Sequence, residues 1–503
     1  MKAFKSILIL TVFLFGLQSC TDLEEDTSSV LSLNNLTTPN DVNSALTPMY
    51  KQLVDAYRNP NDQRTATYGG DDITTWAAGN KAPFRVFDRF DYGGGENSTG
   101  FRLEYGWERY WRIIYIANTV LRGLDKESSE EFVKVAEGEA RLMRALVYFH
   151  LVRIHGNMPI ILEETIPTGD EARATVLENY QHIENDLLIA ETLLPGPAEV
   201  QTGRVSSALA KTILADLYLT WGGWPVKDES KYQLAANKAK EVIDTGAFTL
   251  LPIDELWLLE NQNSSESIFS VQFSQTENYF SFYPTAFSFH EARGFSDCIP
   301  ELQFFYDFPE GPRKDATFYV DIPQRGVENG VITTLDPPTV PWQESQRQHP
   351  MYKKFTISED LTQAARTRGF RAVEVYRYAE VLLIHAEAQA RVGETGASVE
   401  SFNQVRRRAA GFAYDQVGST ADVASATPSE IVEERGWELA GEFRRFFDLV
   451  RTETLQEIAA RRDPTEPVDL LRQPTEQNYI APIPFIAIST SKLVQNPQGF
   501  KIK

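Results

Sequence analysis

Residues 376–388 read YRYAEVLLIHAEA, and residues 433–451 read EERGWELAGEFRRFFDLVR. In the first stretch Tyr378, Ala379, Leu382, Leu383, Ala386 and Ala390 recur at intervals of three and four, with Val375 extending the row backward. That spacing predicts one helix over 376–392 with a single stripe turned to a core. In the second, Glu434, Arg435, Glu438, Glu442, Arg444 and Arg445 supply opposite charges at helical spacing. Opposite charges three and four residues apart support a helix, here over 428–440, whose end they would fix to a neighbour. A catalytic carboxylate pair is the other reading of the same acids.

Working outward, helical apolar spacing recurs over 41–57, 104–124, 129–154 and 175–194. Two Ala-rich segments, 205–221 and 231–245, form the clearest hairpin. Ala208, Leu209, Ala215 and Tyr218 face Ala235, Ala236, Ala239 and Val242 across the turn Gly222-Gly223-Trp224-Pro225, and Gly246 follows as a C-terminal cap. Such a pair resembles a tetratricopeptide unit, and 376–392 with 398–408 repeats the pattern. Between about 250 and 370 the periodicity fades while Gly, Pro and aromatics rise. Short strand-like runs appear there at 267–273 and 330–334. Long irregular loops on a rigid scaffold are where binding residues usually sit.

The N-terminus is of a different kind. Lys2 and Lys5 precede the apolar run Ile7–Leu17, which ends in Leu17-Gln18-Ser19-Cys20. A spanning helix needs roughly 20 apolar residues, so this shorter run reads as a secretory signal. With Cys at the cut site it resembles a bacterial lipoprotein signal, and Cys20 is the expected lipidation site. The acidic segment Thr21-Asp22-Leu23-Glu24-Glu25-Asp26 suits a solvated tether, and stable anchoring takes about two acyl chains. We expect residues 1–19 to be signal and 20–36 the lipidated cysteine and tether. Residues 37–503 form one domain. Its helical scaffold lies mainly in 37–250 and 371–451, with a loop-rich insertion at about 251–370 and a tail at 452–503.

The remaining 480 or so residues are ample for a packed core. A formal net charge of −21 argues against nucleic acid, which demands clustered Lys and Arg. Cys298 is the one cysteine besides Cys20, so no disulfide joins two cysteines of the fold. A buried, inert thiol is expected there. The histidines 150, 155, 182, 290, 349 and 385 form no H-E-x-x-H pair. Gly93-Gly94-Gly95 lacks the Lys-Ser/Thr of a phosphate loop, and no G-x-S-x-G elbow occurs. Neither a catalytic residue nor a cofactor is expected.

The two opening stretches are followed by Ile480-Ala481-Pro482-Ile483-Pro484, Gln495-Asn496-Pro497 and Gly499-Phe500. In this order, behind a lipoprotein signal, they resemble the SusD/RagB family of outer-membrane nutrient-binding lipoproteins. Gly436 departs from the longer residue more usual there. The resemblance covers the mature chain. It implies a mostly helical fold of about four tetratricopeptide-like units packed against an irregular loop-rich region. It also implies capture of oligosaccharide, or in some members peptide, beside a SusC-like TonB-dependent barrel transporter, without catalysis.

A sugar site needs a flat ring against the pyranose and planar polar groups for its hydroxyls. Tyr68-Gly69-Gly70-Asp71-Asp72-Ile73-Thr74-Thr75-Trp76, with Asn80, Arg85 and Arg89 behind it, meets that need. Trp76 is the expected stacking platform, and Asp71 or Asp72 the hydroxyl acceptor. Asp71-Asp72 is also a weak calcium motif, and Trp76 as a pin holding the loop to the scaffold is the alternative. A second cluster holds Tyr279, Phe280, Phe282, Tyr283, Phe287 and Phe289, with Trp342 further on. More aromatics stand here than a short strand can bury, and Tyr279, Tyr283 and Trp342 are its candidate contacts. Trp107, Trp111, Trp221, Trp224 and Trp437 are expected in the core. Peptide or glycopeptide capture, a surface glycoside hydrolase with two flanking carboxylates, and a purely protein-binding scaffold are the rival functions.

Overall fold

The structure is a computed structural model. It describes residues 36–60, 65–77, 79–92, 96–292, 294–328, 331–355, 369–467, 469–470 and 472–496. The signal, Cys20 and nearly all of the tether lie outside the described residues.

Eight helices form the scaffold: α1 (Pro39–Tyr57), α2 (Glu96–Gly123), α3 (Glu131–His155), α4 (Val176–Leu193), α5 (Ser207–Trp221), α6 (Lys231–Ile243), α7 (Tyr378–Arg391) and α8 (Thr395–Ala409). They pack as four successive pairs, α1 on α2, α3 on α4, α5 on α6 and α7 on α8, each pair also resting on the next. This is the tetratricopeptide-like architecture that the Ala-rich hairpins predicted. Two further helices, α9 (Pro428–Glu438) and α10 (Arg445–Arg451), close the array.

Local chemistry sets the helix starts. Thr38 caps α1 by accepting from the Asp41 N–H while the Asp41 carboxylate accepts from the Thr38 N–H. Thr175 with Glu178 and Thr427 with Glu430 repeat this reciprocal box at α4 and α9. In the α5–α6 hairpin all eight predicted facing residues are buried. Gly223 in its turn is obligatory: a Cβ there would lie 2.4 Å from the Arg451 carbonyl oxygen. That carbonyl accepts from the Trp224 N–H at 2.9 Å, so the turn is stitched to the end of α10.

Two long insertions interrupt the array. Residues 58–95 separate α1 from α2, and residues 244–377 separate α6 from α7, yet α7 packs directly on α6. The second insertion leaves and returns through one antiparallel pair, β1 (Ser267–Val271) with β6 (Val373–Arg377). Val375 and Tyr376 therefore belong to a strand and not to the predicted helical stripe, which begins at Tyr378. The two β-branched residues Val373 and Val375, the aromatic Tyr376 and the pairing with β1 outweigh the helical spacing. Two small pairs complete the insertion: β2 (Phe318–Tyr319) with β5 (Met351–Tyr352), and β3 (Asp321–Glu328) with β4 (Val331–Pro341). None of the described helices is long and apolar enough to cross a membrane.

The charged row of 434–445 does more than fix a helix end. It is the centre of a buried ion-pair network. Arg377 meets Glu266 at 2.8 Å, Glu438 at 2.7 Å and Glu442 at 2.9 Å, and Arg408 bridges Glu266 and Glu438. Arg313 holds Glu434 and Glu438, and Lys354 holds Glu442. Burial pushes the Glu438 carboxyl up, but Arg408, Arg377 and Arg313 outweigh it and hold the group below the usual carboxylate range. These acids are matched by structural cations, which removes the catalytic-pair reading.

Candidate functional site

The two insertions meet. The Thr74 N–H donates to the Ile299 carbonyl at 2.8 Å and the Thr74 carbonyl accepts from the Ile299 N–H at 3.1 Å, so the Trp76 loop adds a one-residue bridge to the second insertion. The Thr74 hydroxyl donates to Asp88, which pairs with Arg462 from the tail at 2.9 Å. Lys81, buried, forms an ion pair with Asp297. Tyr68 reaches the Asp297 carbonyl and stands 3.0 Å from the Cys298 sulfur. Cys298 is buried, and burial pushes its thiol well up, so the expected inert thiol is what the fold contains.

Trp76 stands half-buried on this junction, with the Arg347 guanidinium 5.0 Å from its ring centroid. Arg347 is placed by its neighbours: Gln346 N–H donates to Glu291 at 2.8 Å, and His349 lies 2.8 Å from the Arg347 carbonyl and 3.0 Å from Glu466. Asn80 is exposed, and Phe295, 48% exposed, lies under the Lys81 ammonium at 5.5 Å. Trp342 is half-buried against the small cluster of Phe289, Ile299, Ile322 and Met351, the cluster to which the Thr74–Ile299 bridge ties the Trp76 loop. The junction therefore carries Trp76 and Phe295 as partly exposed apolar planes, with Asn80 and Arg347 as polar groups nearby, while the Trp342 ring lies against Phe305 and Tyr306.

The carboxylates behind Trp76 have other work. Asp71 takes a two-point contact from Arg445, at 2.6 and 3.1 Å. Asp72 is 1% exposed. Its carboxylate accepts from the Gly441 N–H at 2.9 Å, and its carbonyl accepts from the Tyr352 hydroxyl. Burial, reinforced by Asp71, pushes the Asp72 carboxyl up to about 7 against the pull of the Gly441 N–H and Arg445. Asp72 is thus corrected from a ligand acceptor to an interior strut. The paired acids turn to different partners and offer no shared cation seat. Among the described residues no group of three His, Cys, Asp or Glu is placed to hold a metal.

Gly436, the residue that departed from the family pattern, has a reason in this chain. A Cβ there would lie 2.8 Å from the Arg445 Nη1. The missing side chain is the space through which Arg445 reaches Asp71 and the Val432 carbonyl.

The aromatic cluster behaves differently from expectation. It is a helical turn, Tyr283–Phe287, and not a strand. Tyr283, 2% exposed, packs on Phe355 and Phe443, and Phe287 lies 4.3 Å from Phe355 between centroids. Tyr283 is therefore corrected from a contact to a core residue. Phe280 and Phe289 are buried as well. Tyr279 is half-buried at a separate place, donating to Asp55 beside Arg58. Arg85 is partly exposed on the short helix Ala82–Asp88. Of the expected core tryptophans, Trp107, Trp221 and Trp224 are buried, while Trp111 and Trp437 are half-buried. Sequence reasoning missed Phe295, Arg347 and the Lys81–Asp297 pair. Phe295 follows the predicted aromatic run by six residues, but no spacing signals that Arg347 lies on Trp76.

Comparison with known proteins agrees with the fold. Residues 311–499 match the SusD family, and residues 22–219 match a family described as starch-binding, associating with outer membrane. A SusD-like protein of Bacteroides ovatus is 26% identical over 374 residues, covering 69% of this chain and 65% of its own length. SusD-like protein P2 of Formosa agariphila is 26% identical with 99% of this chain and 100% of its own length covered. Among solved structures, a SusD homolog from Bacteroides thetaiotaomicron superposes with a TM-score of 0.75 at 21% identity, covering 92% of this chain and 98% of that one. A laminarin binding SusD-like protein gives 0.67 at 24% identity, covering 91% and 99%. The four helix pairs, the loop-rich insertion and the two family matches together place the chain in the SusD/RagB family.

Proposed function

We propose that this protein captures an oligosaccharide on the face built around Trp76 and passes it to a SusC-like TonB-dependent barrel transporter. In this reading Cys20 carries the lipid anchor that holds the protein at the outer membrane, exposed at the cell surface. The observation that carries the proposal is the placement of Trp76. It is a half-exposed indole on a loop fixed by backbone pairing at Thr74 and by two buried ion pairs, Lys81–Asp297 and Asp88–Arg462. A rigid ring stacks on a sugar without the entropic cost of ordering a loop. Arg347 and Asn80 supply donors for hydroxyls, and Asn80 adds an acceptor. The glycan-binding neighbours support the same reading, since a laminarin binding protein and surface glycan-binding protein A of Bacteroides uniformis share the fold.

The mechanism is binding and release, with no covalent step. Asp71 is engaged by Arg445 and Asp72 is interior, so the acids nearest the platform lack the exposed, paired disposition a glycosidase needs. Titration of the mature protein against an array of oligosaccharides and peptides, followed by calorimetry on the hits, tests the proposal. It expects saturable glycan binding without cleavage. Binding confined to peptides, or hydrolysis of the bound glycan, would overturn it.

A further inference from the structure

A large concavity lies away from the Trp76 loop. It is a cleft of about 1210 Å³ walled by residues 250–260 on one side and 411–415 on the other, with Asp315, Tyr319, Lys353 and Arg371 across its floor. It runs into a neighbouring hollow of about 510 Å³ through the shared residues Asp315, Tyr319 and Lys353. Neither shares a lining residue with the Trp76 loop.

Its walls are held from behind. The Arg371 guanidinium donates to the carbonyls of Leu256, at 3.2 Å, and Trp257. Arg408 donates to the Leu251 carbonyl at 3.2 Å while its charge is met by Glu266 and Glu438. The Lys353 ammonium donates to the Asp315 carbonyl. Arg408 of the buried network, together with Arg371 and Lys353 of the lining, thus bonds backbone carbonyls around the cleft, which preorganises it. The Trp257 ring is fixed by Lys354, Arg371 and Arg377, all within 5.8 Å of its centroid. Trp257, Tyr319, Phe412 and Tyr414 line the cleft half-buried, giving flat apolar faces at the lining.

The charges in the cleft select the ligand. Asp254, Glu260, Asp315 and Asp415 line it, and none of them is in an ion pair among the described residues. Unpaired carboxylates accept from hydroxyls and repel carboxylated or sulfated sugars. We infer that this cleft is a second oligosaccharide site, separate from the Trp76 loop and selective against acidic glycans. The inference rests on the glycan reading above.

The test uses the mature protein and three probe sets: neutral malto- and laminari-oligosaccharides with other neutral glycans on an array, oligogalacturonides, and chitosan oligosaccharides. Wild type is compared with Trp76→Ala, Ala413→Trp and the double variant by calorimetry. Ala413 is exposed at the cleft wall, so a large side chain there blocks the cleft without removing a packed residue. The melting temperature verifies each fold, and Trp257→Ala is the second probe of the same wall. The inference expects a neutral glycan to bind wild type at two sites. Trp76→Ala should leave residual binding that weakens by about tenfold or more when Ala413→Trp is added. Complete loss of binding in Trp76→Ala, or unchanged stoichiometry and affinity in Ala413→Trp, overturns the second site and leaves the Trp76 reading intact. Preference for the galacturonide probe over the neutral and chitosan probes in Trp76→Ala overturns the selectivity. No binding of any glycan by wild type removes the functional reading and this inference together.

Discussion

The C-terminal frame and the two insertions both bury ion pairs, but in different proportion: charge dominates the frame, and the insertions add an aromatic layer to pairs such as Lys81–Asp297. From 373 to 451 the chain buries full charges: Arg377, Arg408, Arg435 and Arg451 are all at most 5% exposed and each meets at least one carboxylate. The insertions bury aromatics, with Tyr283, Phe287, Phe355 and Phe443 packed in tilted and edge-on contacts where the second insertion meets the frame. A buried ion network tolerates no missing partner, because the group left behind is charged and dry. An aromatic layer is more forgiving, and it leaves rings at its edge. The frame thus supplies fixed geometry, and the insertions supply the rings available to a ligand.

The largest effect is expected at the hub of the frame. Arg377→Ala takes one cation from each of Glu266, Glu438 and Glu442, leaving Arg408, Arg313 and Lys354 to hold them, and should cost about 3 kcal/mol or more in chemical denaturation; a loss under about 1 kcal/mol would remove the network from the account. The next effect lies where frame and insertion touch. The Asp72 carboxyl, ordinarily near 3.8, sits near 7 in the folded chain. It keeps its proton longer folded than unfolded, so its contribution is fully present below about pH 4 and is lost as pH rises towards 7. Compared with wild type, Asp72→Asn should therefore gain stability progressively across that interval, by a few kcal/mol, on the order of 4 at most. Parallel pH profiles of the two proteins would contradict this.

Smaller effects separate binding from stability. Gly436→Ala trades about 1 kcal/mol of improved helix propensity against displacement of Arg445 from Asp71. The melting temperature should move little while glycan affinity falls, because the loop bearing Trp76 loses its Asp71 strut. At the exposed edge, Phe295→Ser should change stability by less than about 0.5 kcal/mol and still weaken binding in calorimetry.

Much of the frame was legible in sequence because helices announce themselves locally. The stripe through Ala379, Leu382, Leu383 and Ala386, the Ala-rich faces at 208–242 and the Thr-x-x-Asp/Glu boxes each lie within a few turns of chain. The strand at 373–377 was misread because its partner, Ser267–Val271, lies about a hundred residues away. The ion network was half legible: the acids and arginines of 434–445 stood out, but Glu266, Arg313 and Arg377 reach them across long separations. At the candidate site, Trp76 and Asn80 fall on the junction face, whereas Asp72 and Tyr283 were drawn into the interior. A polar or aromatic residue in a loop looks the same in sequence whether its partner is solvent or Gly441. Trp257 and its cleft went unread because the run Leu256–Leu259 looks like core.

The most direct measurement is isothermal titration of the mature protein and Trp76→Ala with an oligosaccharide that binds wild type. The account predicts that the substitution leaves the melting temperature within a degree or two and weakens or removes the binding event at the Trp76 face. An identical isotherm in the variant would contradict it and return Trp76 to the role of a pin for its loop.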